Sequence, residues 1–327
     1  MNSDYTFLRE SLGKDPALVK YVTPAIMYRS GKYKACATSD FVGLELEVEN
    51  FPAAATYNII NADSRSWVGV ADHSLLEGEG SLEFRLKAPL KTVALGAAIS
   101  DFCSVVEALP PARRAILGSY RTSTHIHINM LNATHDCLTI FLYMYYAMEP
   151  MFLSYYSSLS SFREDNTFCI PINKCYGISE FLRGLLAYKL SDLPAGSSSR
   201  TARLISDTLR RRGDGDRYSA FNILSLGVHG TLEFRAPPLL LCENDIQDLV
   251  KIIQLLKYTA ASVADDRVSS YKMLSGDMSD SSTPITDYFR TVCESGGYGA
   301  LFRKFAATIN RRNLESSEHS ALLLLEV

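Results

Sequence analysis

The chain has 327 residues, with 33 Lys and Arg against 36 Asp and Glu, a formal charge of -3, and 47% hydrophobic against 21% charged residues. This composition is that of a globular protein long enough for a large core, which excludes the disordered and fibrous classes. Near-neutral charge also excludes a whole-chain attraction to nucleic acid or to a membrane surface. The 7 cysteines are scattered and contain no Cys-x-x-Cys pair, so neither a zinc ribbon nor a disulfide framework is expected. Reduced thiols and a cytoplasmic location follow as the expectation. Residues 1–5 lack a basic stretch leading into an apolar one, so no signal peptide is expected. The most apolar run, 138–148, is shorter than the ~20 residues a membrane span needs.

Residues 41–49 alternate strictly, with Leu44, Leu46 and Val48 on one face and Glu45, Glu47 and Glu49 on the other, which predicts a strand. Further strands are expected over 56–60 and 67–71. Residues 80–86 alternate again, Leu82, Phe84 and Leu86 opposing Glu83 and Arg85. A helix is predicted over 92–109, stopped by Pro110 and Pro111. In 123–130, Ile126 and Ile128 oppose His125, His127 and Asn129. A long aromatic helix follows through Tyr156, with Asn132 or Thr134 as its cap. Its tyrosines, including Tyr143, Tyr145, Tyr146, Tyr155 and Tyr156, are read as core and rim packing.

Residues 166–172 are expected to be extended, 179–190 helical, and the Ser-, Gly- and Pro-rich stretch 191–199 a loop or lid. A helix over 201–212 ends in Arg210, Arg211 and Arg212, read as a solvated helix end or as a clamp for an acidic substrate. Residues 219–226 and 231–237 read as a hairpin, 246–263 as a helix, and 284–309 as two more. No Gly/Pro linker divides the chain. The prediction is one α+β domain over 1–327, with core motifs in 41–240, a helical part in 243–310 and a tail in 311–327. Its sheet is mixed or antiparallel, the polar face forming the active site and helices covering the other.

Two segments repeat: Gly80-Ser-Leu-Glu-Phe-Arg85 and Gly230-Thr-Leu-Glu-Phe-Arg235. Each places a Glu and an Arg two apart on one strand face. With Glu45/Glu47 and His125/His127/Asn129, four strands then carry acids, imidazoles and guanidinium groups where mixed Lys, Thr, Ser and Gln would normally meet water. Adjacent side chains on one face lie about 7 Å apart, so neighbouring groups can reach one ion or two. Several carboxylates with one or two histidines suit Mg²⁺ or Mn²⁺, whereas zinc favours sets richer in Cys and His. Arginines among carboxylates make sense if they hold a phosphoryl group that the metals also touch. No Gly-x-x-x-x-Gly-Lys-Ser/Thr loop occurs, so a P-loop enzyme is not supported.

The ordered set Gly43-x-Glu45-x-Glu47, Asp72-x-Ser74-Leu75, Gly80-x-x-Glu83, Pro89, His125-x-His127 and Glu233-x-Arg235 resembles the carboxylate–amine ligases of the glutamine synthetase and glutamate–cysteine ligase fold. Within them it is most similar to the amidoligase family, whose pattern Arg163 and Arg217-Tyr218-x-x-Phe221-Asn222 also resemble. The resemblance implies a glutamine synthetase-like catalytic fold. It implies an ATP- and Mg²⁺- or Mn²⁺-dependent ligase that activates a carboxylate as an acyl phosphate and lets an amine displace phosphate. Carried over residue by residue, Glu45, Glu47 and Glu83 would hold divalent ions, and His125 and Glu233 would hold the second ion, nearest the γ-phosphate. Arg235 would steady the transferred phosphoryl group, and His127 would lie against substrate or nucleotide. Arg217 and Asn222 would contact phosphate or substrate, and Arg163 the substrate carboxylate. Arg85 repeats the Glu-x-Arg arrangement, so either Arg85 or Arg235 could face the phosphates.

Partners implied are small-molecule or peptide amines and carboxylates, without nucleic acid or membrane; homo-oligomer formation stays open. The alternative is a catalytically inactive member of the same fold that binds a protein or peptide through the Tyr-rich helix 138–156. A metal-dependent hydrolase using His125 and His127 would instead act without nucleotide.

Overall fold

A computed structural model describes residues 41–62, 65–76, 80–130, 133, 135–160, 169–175, 178, 218–226, 230–265, 285–307 and 309. Strand β1 is Phe41–Val48, and helix α1 Ala53–Ile60 follows it. Strands β2 (Trp67–Val70), β3 (Leu82–Leu86) and β4 (Leu90–Lys91) precede helices α2 (Thr92–Glu107) and α3 (Pro111–Arg114). Strand β5 is Thr124–Asn129, and the long helix α4 is His135–Leu159. Strands β6 (Phe221–Asn222) and β7 (Thr231–Phe234) come next. Helices α5 (Glu243–Asp265), α6 (Ile285–Ser295) and α7 (Gly299–Ala306) complete the described elements.

The strands form one sheet in the order β2-β3-β1-β5-β7-β6, with β4 also paired to β1. Every pairing between the described strands is antiparallel. The fold class is α+β, as the alternation predicts. Leu44, Leu46, Phe84, Ile126, Ile128, Leu232 and Phe234 are essentially inaccessible, because the period of two sends them all to one face. Helices α2 and α4 cover that face with aromatic rings. Phe102 of α2 meets Trp67 at 5.8 Å and Phe84 at 5.6 Å between centroids, and Trp67 Nε1 donates to Ala98 O at 2.8 Å. Tyr145 of α4 stacks on Phe221 at 4.5 Å, and Phe141 meets Phe234 edge-on. Helix α5 packs along α4 and reaches β5. No described helix is long and apolar enough to cross a membrane, and no described cysteine forms a disulfide.

The sequence reading fails at residues 56–60, which are the second half of α1 and not a strand. The alanine run Ala53-Ala54-Ala55 favours helix, and Ala55 and Ile59, four apart, are the residues it buries. Pro111 does not merely stop α2; it opens α3 at a first-turn position, where its missing N–H costs nothing. Ile172, predicted extended, begins a 3₁₀ turn over Ile172–Lys174. The cap choice between Asn132 and Thr134, the segments 179–190, 191–199 and 201–212 with their arginines, and the tail lie outside the described residues.

Gly80 enters β3 at φ +89°, and a Cβ there would lie 2.4 Å from Phe51 O and 2.5 Å from Phe51 N. Both obstacles are backbone, so neither can swing aside. Gly80→Ala is therefore expected to destabilise the protein by at least about 2 kcal/mol. Denaturant unfolding of the variant checks this; an unchanged midpoint would contradict the placement of this turn.

Candidate functional site

The strand register assembles the site. β1 pairs with β5 so that Glu45 opposes His125 and Gly43 opposes His127. It pairs with β3 so that Glu45 opposes Arg85 and Glu47 opposes Glu83. β7 sets Glu233 opposite His127, and β6 sets Asn222 opposite Glu233. Directly opposed residues of an antiparallel pair project to the same side. The polar faces of five strands therefore merge into one floor, away from the aromatic core.

His125 sits at its centre. Its Nδ1 lies 3.1 Å from Glu45 Oε2 and 3.6 Å from Glu233 Oε1. Its Nε2 lies 2.6 Å from Ser123 Oγ, whose hydroxyl donates to Glu47 Oε2. His127 Nε2 is 3.5 Å from Glu45 Oε1, and its Nδ1 is 3.0 Å from Thr231 Oγ1 and 3.3 Å from Ser225 Oγ. Glu233 accepts from Asn222 Nδ2 at 2.7 Å and from Arg235 Nη1 at 2.5 Å. Arg85 Nη2 donates to Glu83 Oε2, and Arg85 Nε lies 3.8 Å from Glu45 Oε1. Gly43 leaves the His127 ring its place, since a Cβ at Gly43 would approach His127 Cβ to 3.1 Å.

Burial divides these acids into two kinds. It pushes the Glu45 carboxyl up, but the His127 and His125 rings outweigh it and hold Glu45 well below the usual carboxylate range. Glu233 is lowered too: burial opposes ionisation, while Arg235, His127 and His125 favour it. For Glu83 burial prevails over the hydrogen bond from Arg85 and, with Glu45 nearby, takes it up to about 7. His127 is raised, because Glu45 and Glu233 overcome the burial that disfavours its charge. Burial and neighbouring charge thus set these groups in opposite directions on one floor, whose Glu45 and Arg85 open to the cavity.

Two sets of three residues bring ligand atoms within 4.8 Å of one another: Glu45 with Glu83 and His125, and Glu45 with His127 and Glu233. Glu45 belongs to both. Oxygen-rich sets with one imidazole each fit Mg²⁺ or Mn²⁺. A cavity of about 510 Å³ opens above the floor, in the size range of small-molecule sites. Its wall includes Asp72, His73 and Ser74, a turn in which Ser74 N donates to Asp72 Oδ1 at 2.7 Å. Burial opposes ionisation of Asp72, but that hydrogen bond prevails and lowers its pKa. Arg121 Nη1 ties the turn down through Ser74 O at 3.0 Å.

Of the residues singled out in the sequence, Glu45, Glu47, Glu83, His125, His127, Asn222, Glu233 and Arg235 meet on this floor, while Arg163 and Arg217 lie outside the described residues. His125 falls with Glu45 and Glu83, and His127 joins Glu45 and Glu233, although His125 stays 3.6 Å from Glu233. Glu47 is in neither set and is held by Ser123. Sequence reading missed Ser123, Thr231, Ser225 and Arg121, whereas Tyr218, part of the Arg217-Tyr218-x-x-Phe221-Asn222 motif, lines the cavity. Ser123 carried a signal, lying two residues before His125 on the same alternating face; Arg121 lies outside the strands and carried none.

Fold and site together define an α+β protein whose antiparallel sheet bears a buried carboxylate–histidine floor, flanked by arginines, beneath a polar cavity. Residues 32–257 match the family described as "Putative amidoligase enzyme", and the chain belongs to that family. Ligase chemistry is the activity this membership carries. A search of curated proteins returned no match.

Proposed function

We propose that the chain is an ATP- and Mg²⁺-dependent ligase that joins a carboxylate to an amine through an acyl phosphate, on a glutamine synthetase-like catalytic fold. The observation that carries this reading is the pair of carboxylate–histidine sets sharing Glu45, each with an arginine beside its outer carboxylate. Glu45, Glu83 and His125 would hold one divalent ion, and Glu45, His127 and Glu233 the other. Such ions would neutralise phosphate charge, the main requirement of phosphoryl transfer. Ser123 orients Glu47 and His125, Thr231 and Ser225 fix the His127 ring, and Arg235 offers its guanidinium to a transferred phosphoryl group. No described side chain needs to act as a nucleophile in this scheme, which agrees with a floor made of Glu, His and Arg. The amine and acid are small molecules or peptide ends that enter the cavity beside the Asp72–Ser74 turn.

The rival reading, an inactive member that binds partners through its Tyr-rich helix, loses its surface. Tyr143, Tyr145, Tyr146, Tyr155 and Tyr156 are all buried in α4.

Calorimetric titration with a non-hydrolysable ATP analogue tests the proposal. Binding is expected with Mg²⁺ and to weaken at least about tenfold in Glu233→Gln, which removes one ligand and leaves its volume. Well-folded wild type that binds no nucleotide at any Mg²⁺ concentration would overturn it.

A further inference from the structure

The repeated segments occupy equivalent places. β3 and β7 flank the central β1–β5 pair on opposite sides. The registers Leu46↔Phe84, Glu47↔Glu83 and Val48↔Leu82 between β1 and β3 reappear between β5 and β7 as Ile126↔Phe234, His127↔Glu233 and Ile128↔Leu232. Glu45 opposes His125 at the centre, and Leu44↔Ile126 has its counterpart in Leu46↔Thr124. A quasi-two-fold axis normal to the sheet therefore passes between Glu45 and His125. It relates Glu83 to Glu233, Arg85 to Arg235, and the turn glycines Gly80 and Gly230, both at positive φ. Each glycine carbonyl accepts an N–H from just beyond a central strand: Phe51 to Gly80 O and Met130 to Gly230 O.

From this symmetry we propose that the cavity binds two oxyanion groups at once, one at Arg85 and one at Arg235, on either side of Glu45. The inference rests on the divalent-ion reading above. Each guanidinium spends one Nη on its own strand's glutamate and has further N–H donors, five in all. The Nε of Arg235 is buried without an acceptor among the described residues, and both arginines line the same cavity. When the outer glutamates turn their oxygens to cations, each arginine stands beside a cation with donors in hand, the arrangement that grips a phosphate or carboxylate. One arginine would suffice for a single transferred phosphoryl group; two in symmetric halves fit a ligand pair, or one ligand, with two anionic ends.

Equilibrium dialysis with Mn²⁺ and radiolabelled inorganic phosphate tests this. With Mn²⁺ saturating, wild type is expected to take two phosphates per chain. Arg85→Ala and Arg235→Ala should each take one, and the double variant none, while circular dichroism and Mn²⁺ uptake persist. Acetate that displaces one phosphate would mark that half as a carboxylate site; acetate that displaces neither would mark both as phosphoryl sites, and both results keep two anions. Full Mn²⁺ uptake with a single phosphate, lost only in Arg235→Ala, would overturn the inference and leave the function standing. Absence of Mn²⁺ binding would remove the divalent-ion reading and this inference with it.

Discussion

Glu45→Gln is expected to abolish both proposed divalent-ion sites, lowering Mn²⁺ affinity by more than about 100-fold while the circular dichroism spectrum stays that of wild type. The loss should exceed the ~10–100-fold typical of removing a group that merely supports a ligand. Glu45 is the member common to both sets, and it is held ionised by His127 and His125 against its own burial. The amide keeps the side chain's volume but removes its charge. Glu83→Gln and Glu233→Gln each touch one set and should each leave one Mn²⁺ bound. Paramagnetic resonance titration counts the ions directly. Two ions of unchanged affinity in Glu45→Gln would dissolve the shared-ligand arrangement.

A second large effect concerns a carboxyl remote from this floor. Glu149 lies inside α4 and is buried; burial pushes it up to about 8, although Ile172 N donates to its Oε2 at 2.7 Å and Tyr145 also favours the charge. The folded protein therefore keeps this proton to a higher pH than the unfolded chain, whose glutamate titrates near 4.5. The stability that Glu149 contributes is full below about pH 4.5 and is lost as pH rises to about 8, a fall on the order of a few kcal/mol. Glu149→Gln retains an acceptor for Ile172 N and cannot ionise. Its unfolding free energy should lack this part of the pH slope and exceed that of wild type above pH 8. Denaturant unfolding of both proteins from pH 5 to 9 measures the difference; parallel curves would show that Glu149 is ionised in the folded state.

Much of the site was legible because strand alternation is local. Which residues of 41–49, 80–86 and 123–130 share a face follows from a period of two, so the polar faces with Glu45, Glu83 and His125 could be read without knowing any partner strand. The repeat Gly80–Arg85 and Gly230–Arg235 was equally plain. The helix α1 was not, because Thr56, Tyr57, Ile59 and Ile60 satisfy strand propensity while the alanines that decide for helix precede them.

What the amino-acid order determined by itself was the class of residue on each face, the α+β architecture and the family; that the sheet is antiparallel came from the strand pairings. Which of the carboxylates and imidazoles stand together was decided only by tertiary structure. His127 joins Glu233 and Glu45 because β5 lies between β1 and β7 in one register, and a slip of one residue would have turned these polar side chains into the core. The two-fold relation between the repeats arises in the same way, since two similar strands become equivalent only when placed on opposite sides of one central pair. The high pKa of Glu149 likewise depends on the chain that closes over α4. Register and burial are set by contacts between segments distant in the chain, among them His127 with Thr231 and Thr124 with Leu240, and no local pattern contains them.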